Sequence, residues 1–262
     1  MPAAKRPDPV ADGPEPGVVE TFAKVQLKDA VVLLAFPTAG SASSIAAQYL
    51  VRNLTLPLVG HFRLPELSGL VAIQDGRVTS AVRIFGGEVA CRIGQDCPRI
   101  YLVTTELALP PIALARLADA VMDWAAAGGV HMLLVLEAVV RSEGDESPDV
   151  YVAAADRTVL ASLRKAGLPP MERALIAGIT AQILLDSPRR GLAAGGLLVE
   201  ASRDHPDGRA AAALVQAVAK MVPDVVVDAG PLQKEAMELE TEIQKAREQA
   251  QGKAPPPQAS FI

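Results

Sequence analysis

The chain has 262 residues, half of them hydrophobic and only 3% aromatic, with a formal net charge of −5. This length suits one large domain or two small ones with ample material for a core. The acidic balance and the few, scattered rings leave neither a basic footprint nor a base-stacking platform, which excludes nucleic acid as the expected partner. With so few rings, the core must be filled by Ala, Val and Leu.

Residues 1–17 carry Pro2, Pro7, Pro9, Pro14 and Pro16 among alternating charges and lack an apolar h-region. They read as a flexible lead-in rather than a signal peptide. No apolar run reaches membrane-spanning length, since 133–140 is short and contains Glu137. Cys91 and Cys97 are the only cysteines, too few for a disulfide framework. They read as free thiols in a reducing compartment, with pairing the alternative if their segment forms a hairpin. The expected location is the cytoplasm, with no membrane association.

The run Val31-Val32-Leu33-Leu34-Ala35-Phe36 is continuously apolar and bounded by turn residues, the pattern of a strand buried on both faces. Pro37-Thr38-Ala39-Gly40-Ser41 breaks it, and a helix follows through Ser43, Ile45, Ala46, Gln48 and Leu50. A strand is expected through Phe62 and Leu64, and another at 70–73. The Asp75-Gly76 pair then signals a two-residue hairpin turn, with 78–85 as the returning strand. A further central strand is expected at 99–104.

Pro110-Pro111 starts a helix that places Leu114, Leu117, Val121 and Trp124 on one face and ends at Gly128-Gly129. Residues 130–136 form a buried strand, 141–149 a polar surface loop and 150–155 a short strand. Asp156 is placed to cap the next helix. Leu168-Pro169-Pro170 opens a helix expected to run to about Leu185, apolar on several sides and therefore deeply buried or shared with another subunit. The glycines of 191–196 turn into a strand at 197–199, and an Ala-rich helix ends near Met221. Strands separated by helices predict a mostly parallel sheet covered on both faces. The last helix, from Leu232 to about Ala250, carries a weak heptad seam. Gly252-Lys253-Ala254-Pro255-Pro256-Pro257 follows as a semi-extended tether.

Three features bear on chemistry. Gly40, Ser41 and Ser43 form a possible anion-binding turn at a helix N-terminus. The turn lacks the lysine and second glycine of a nucleotide loop, which favours a tight strand-to-helix turn with a serine cap. Glu200, His205 and Asp207 resemble an acid–base cluster following a strand, where open α/β sheets place their sites, although Asp207 is better explained as an N-cap. Glu106 and Glu137 end or follow strands and are expected to be solvated. The three histidines, His61, His131 and His205, have no metal-ligand spacing. No metal or other cofactor is expected.

The ordered motifs resemble those of the proteasome assembly chaperone 2 family in its archaeal and bacterial branch. The likeness rests on Ala35-Phe36-Pro37-Thr38-Ala39-Gly40, Tyr49-Leu50, Leu64-Pro65-Glu66-Leu67, the Asp75-Gly76-Arg77-Val78 hairpin and Gly178-Ile179-Thr180-Ala181. It continues through Gly195-Gly196-Leu197-Leu198-Val199-Glu200-Ala201, His205-Pro206-Asp207-Gly208-Arg209-Ala210-Ala211-Ala212 and Pro231-Leu232. The resemblance implies a three-layer α/β/α sandwich akin to nucleoside phosphorylases, no catalysis, homo-oligomers and a role in proteasome assembly. Some relatives end in hydrophobic–tyrosine–any residue, a tail that docks between proteasome α subunits. Here Ser260, Phe261 and Ile262 occupy those places, with serine at the hydrophobic position and phenylalanine at the tyrosine.

The expected organisation is a lead-in over 1–20, an α/β/α domain over 21–231, a closing helix over 232–251 and a tether with tail over 252–262. The expected function is an oligomeric chaperone or scaffold, not an enzyme, that binds proteasome α subunits partly through Ser260, Phe261 and Ile262. One alternative is a phosphorylase-like enzyme using the Gly40 turn with Glu200 and His205. The other is a structural homo-oligomer with a different partner.

Overall fold

A computed structural model describes residues 17–74, 76–89, 99–141, 149–203, 205–222, 227–232 and 234. Cys91 and Cys97, the tether, Ser260–Ile262 and the closing helix beyond Lys234 lie outside the described residues. In chain order the elements are β1 (Val18–Thr21), β2 (Val31–Ala35), α1 (Ala42–Asn53), β3 (Leu58–Arg63), β4 (Val71–Gln74), β5 (Arg77–Ser80), β6 (Val82–Glu88) and β7 (Arg99–Thr104). There follow α2 (Pro111–Gly128), β8 (Met132–Val140), β9 (Val150–Ala153), α3 (Arg157–Lys165), α4 (Gly178–Asp186), β10 (Ala194–Ala201) and α5 (Gly208–Met221).

Eight strands form one sheet in the order β1-β3-β6-β7-β2-β8-β10-β9, and β4 and β5 form a separate hairpin. The apolar run of β2 sits between β7 and β8, parallel to both, which explains why it alternates with nothing polar. Leu33 and Ala35 pack into one core with α1, α3 and α5, while Val32 and Leu34 pack into the other with α2 and α4. This is the expected three-layer α/β/α sandwich. Aliphatic filling suffices because α1 and α5 pack together and both bury small residues, Ala42, Ala46 and Ala47 on the first and Ala210, Ala211 and Ala212 on the second. The rings Phe62, Tyr101 and Trp124 gather edge-to-face on the α2 side, with centroids 5.6 and 6.3 Å apart.

Several expectations are corrected. The sheet is mixed rather than mostly parallel. The pairs β7–β2, β2–β8 and β8–β10 are parallel, and the pairs β1–β3, β3–β6, β6–β7 and β10–β9 are antiparallel. β1 lies where the lead-in was expected to end; its four residues pair with β3 from Val18↔Arg63 to Thr21↔Gly60. The strand expected at 78–85 is two strands. Ala81 and Val82 are buried in succession, which breaks the two-residue alternation, and β6 leaves the hairpin to join the main sheet.

The helix expected from Leu168 begins only at Gly178. Val152 donates to the Pro169 carbonyl at 2.8 Å and Met171 donates to the Val152 carbonyl at 2.9 Å, so the Pro-Pro segment runs extended beside β9. A proline pair restrains its preceding residue to extended backbone, and this outweighs the apolar spacing. Leu175 is consequently fully exposed. β10 starts at Ala194, earlier than the glycines suggested. Gly195 is a close-approach residue rather than a turn, since a Cβ there would meet Leu163 Cδ1 of α3 at 2.6 Å.

Candidate functional site

Three places in this framework carry polar chemistry. The first is the junction where α1 and α5 begin. Gly40 is buried at φ +57°, a conformation glycine adopts without strain, and Asp207 N–H donates to its carbonyl at 2.8 Å. A Cβ on Gly40 would lie 2.8 Å from Asp207 Cβ and 3.0 Å from the Ser202 carbonyl oxygen. The two stretches singled out separately in the sequence, the Gly40 turn and the segment around Asp207, are thus one packed unit.

Asp207 is buried and fully bonded. Its Oδ1 accepts from Ala210 N–H at 2.9 Å, the N-cap bond of α5. Its Oδ2 accepts from Ser202 N–H at 2.9 Å and from Arg141 Nη2 at 3.1 Å, and the same Arg141 nitrogen donates to the Glu200 carbonyl at 3.1 Å. Glu200 is tied in through its backbone, and the His205 ring nitrogen Nδ1 lies 3.1 Å from the Pro206 carbonyl. The arrangement closes a loop over a helix start; it does not assemble Glu200, His205 and Asp207 into a proton relay.

The serines do not cap α1. Ser41 stands at its N-cap without a side-chain cap bond, and Ser43 is fully buried with its hydroxyl 2.8 Å from that of Thr38. Thr38 Oγ1 in turn accepts from Ala138 N–H of β8 at 3.2 Å. The Gly40 carbonyl, Thr38 and Ser43 are thus bonded within the chain, and Gly40 packs against the β-carbon of Asp207. Gly40→Ala should lower unfolding stability by about 2 kcal/mol, through positive-φ strain and the clash with Asp207. A urea midpoint unchanged from the parent would show that the Asp207 segment yields freely.

The second place is Glu137 on β8, which is half-buried rather than solvated. Thr180 Oγ1, in the first turn of α4, donates to its Oε2 at 2.5 Å. Burial raises the carboxyl to about 7, and the Thr180 bond only partly opposes the shift. The sequence marks Glu137 as a carboxylate in a strand region but does not signal its burial, which depends on where α4 lands. Glu106 is exposed, as expected. It pairs with Arg83, a buried cation of β6 that also donates to Gln74 of β4 at 2.8 Å.

The third place is an open groove of about 700 Å³ beside the hairpin. Its floor is Glu20, His61 and Arg63 of β1 and β3, and the hairpin residues Val71 and Val78 contribute an apolar wall. The opposite side is formed by the 64–69 segment, held to α2 by an Arg116–Glu66 bond of 2.6 Å. The outward residues Val71, Ile73 and Val78 are all exposed, although the inner side of the hairpin carries the buried Thr79 and the bonded Gln74. The sequence shows the hairpin but not this inverted polarity.

Among the described residues, no three His, Cys, Asp or Glu side chains converge as metal ligands. No helix of the described residues is long and apolar enough to cross a membrane.

Comparison with known proteins fits this architecture. A protein of Methanocaldococcus jannaschii is 22% identical over 87% of this chain and 89% of its own. Pyrococcus furiosus PbaA, an archaeal homolog of proteasome-assembly chaperone, superposes with a TM-score of 0.77 at 23% identity, covering 91% of this chain and 94% of its own. PbaB of the same organism, an archaeal proteasome activator, gives 0.76 at 18% identity, covering 88% and 99%. The PAC2 family model matches residues 32–247, from the central strand through the Gly40–Asp207 junction and beyond. On that match, the chain belongs to the PAC2 family.

Proposed function

We propose that this protein is a non-catalytic, oligomeric chaperone or scaffold of proteasome assembly, acting in the cytoplasm. The observation that carries this reading is the PAC2 match over residues 32–247, together with the shared fold of PbaA and PbaB. The Gly40–Asp207 junction is consistent with a structural role for that turn, since Gly40 packs on Asp207 and accepts from its N–H.

The partners proposed are proteasome α subunits and further copies of this chain. Ser260, Phe261 and Ile262 supply a hydroxyl, an aromatic ring and an aliphatic side chain, the last two suited to an apolar pocket. Several tails carried on one oligomer would bind with an avidity that no single tail has.

Deleting residues 258–262 should weaken capture of purified α subunits at least tenfold, because burying one large apolar side chain contributes roughly 1.5–3 kcal/mol. Size-exclusion chromatography and equilibrium binding with the full chain as reference measure this. Equal binding by the two forms would rule out the tail as the contact. No α-subunit binding by the full chain would remove the proteasome reading itself.

A further inference from the structure

We propose that the outer edge of β1 is a docking site for an extended, acidic segment of a partner protein, which adds a further strand to the sheet. β1 is an end strand of the eight-stranded sheet. Phe22 N–H, just beyond β1, donates to the Val59 carbonyl at 2.7 Å, continuing the register that pairs Thr21 with Gly60. Hydrogen-bonded and non-hydrogen-bonded pairs alternate along an antiparallel ladder. Val18 and Glu20 therefore bond toward β3, while Val19 and Thr21 turn their N–H and C=O groups outward. Among the described residues, nothing takes up those donors and acceptors.

The opposite end of the sheet shows how an edge is closed. Val152 of β9 donates to the Pro169 carbonyl and accepts from Met171 N–H, so a proline-bearing segment lies along that edge. β1 has no such cover among the described residues. A charged side chain on an edge strand blocks unwanted pairing, but the charge on β1 is Glu20, which is bonded at 3.0 Å to both His61 and Arg63 of β3. The edge is left open on the side where Val19 and Thr21 present their backbone.

Two grooves flank this edge and select what can lie on it. Val18 and Glu20 border the groove beside the hairpin, and Val19 and Thr21 border a second groove of about 810 Å³. Lys24, Lys28 and Arg99 line the second groove together with Trp124. Among the described residues the two lysines form no ion pair, and Arg99 meets Glu88 only at 3.9 Å. In a chain of net charge −5 this is a local excess of positive charge. Successive side chains of an added strand point to opposite faces. Acidic residues at every second position therefore meet the cations, and apolar ones between them pass over Val18 and the hairpin wall of Val71 and Val78. The cations alone do not separate a peptide from a phosphate-bearing ligand; the row of free backbone groups beside them does. The site is distinct from Ser260–Ile262 and does not require the partner to be a proteasome subunit.

The probe is a blocked octapeptide of alternating valine and glutamate, titrated into the full chain near neutral pH and followed by the fluorescence of Trp124, the single tryptophan. Binding should slow amide exchange at Val19 and Thr21 and leave β2 unchanged. Thr21→Pro removes one outward donor and keeps the bonds to β3, a change that edge strands tolerate, and should weaken binding about fivefold, the loss of one hydrogen bond. Lys24→Glu combined with Lys28→Glu, both at exposed positions, should weaken it about tenfold and keeps the idea testable if Thr21→Pro fails to fold. A valine–lysine octapeptide should bind the parent chain more weakly by a similar factor. The proposal is overturned by no binding at millimolar peptide, by binding without slowed exchange at Val19 and Thr21, by undiminished binding to Thr21→Pro, or by equal affinity for the two octapeptides. Slow exchange of these amides in the peptide-free chain also overturns it, marking an edge already taken by the chain itself or, where the protection rises with concentration, by a second copy.

Discussion

Asp207→Ala should lower the unfolding free energy by about 3–5 kcal/mol, the range for breaking a buried, hydrogen-bonded charge pair. The carboxylate caps α5 through Ala210 N–H, holds Ser202 N–H and neutralises Arg141. Truncation leaves two backbone donors and a largely buried guanidinium without their acceptor. Loss of the cap alone accounts for about 1 kcal/mol, so most of the effect should come from Arg141 and Ser202. Asp207→Asn keeps an acceptor for the helix while removing the charge, and should fall between the parent and the alanine variant. Urea denaturation of all three chains decides it; a loss below about 1 kcal/mol for Asp207→Ala would mean that water replaces the carboxylate at the junction.

Glu137→Gln should act in the opposite direction, raising stability at pH 8 by about 3 kcal/mol. The sign follows from the raised carboxyl. Below its ordinary value of 4.5 the group is protonated in both folded and unfolded chains and contributes no difference. Between 4.5 and about 7 the unfolded chain ionises while the folded one resists, so stability falls as pH rises through that window. Above it the loss is constant, and a gap of this width corresponds to about 3 kcal/mol. A glutamine removes the penalty and can still accept from Thr180. Stability curves of the two chains should therefore converge near pH 4 and separate by pH 8. Parallel curves across the range would mean that Glu137 ionises as readily in the folded chain as in the unfolded one.

What the sequence made legible was local. The apolar run of β2 and the Asp156 carboxylate, which accepts from Thr158 and Val159 N–H at 2.7 and 3.0 Å, each carry their signal within a few residues. The same is true of the proline start and glycine stop of α2. β1 is not legible because its partner strand among the described residues, β3, lies about forty residues on, and four residues hold too little alternation to announce a strand. The course after Leu168 is not legible because Pro169-Pro170 has the look of a helix start, as Pro110-Pro111 has, whereas its extended path is fixed by β9. At the candidate sites the pattern repeats. Asp207 was recognisable as a cap, but its contact with Gly40 joins residues 167 apart, and Glu137 does not acquire its character until α4 is in place.

The alanines between α1 and α5 have a mechanical meaning as well as a packing one. Both helices bury alanines, Ala42, Ala46 and Ala47 on α1 and Ala210, Ala211 and Ala212 on α5, and such small side chains let the two helices lie close. Asp207 sits at the head of one helix and Gly40 just ahead of the other, so that spacing also fixes whether the Asp207 N–H can reach the Gly40 carbonyl. A bulkier side chain on this seam would act as a wedge, prising the two helix starts apart. Residues of little chemical interest on their own thereby hold the tolerances of the charged junction above them.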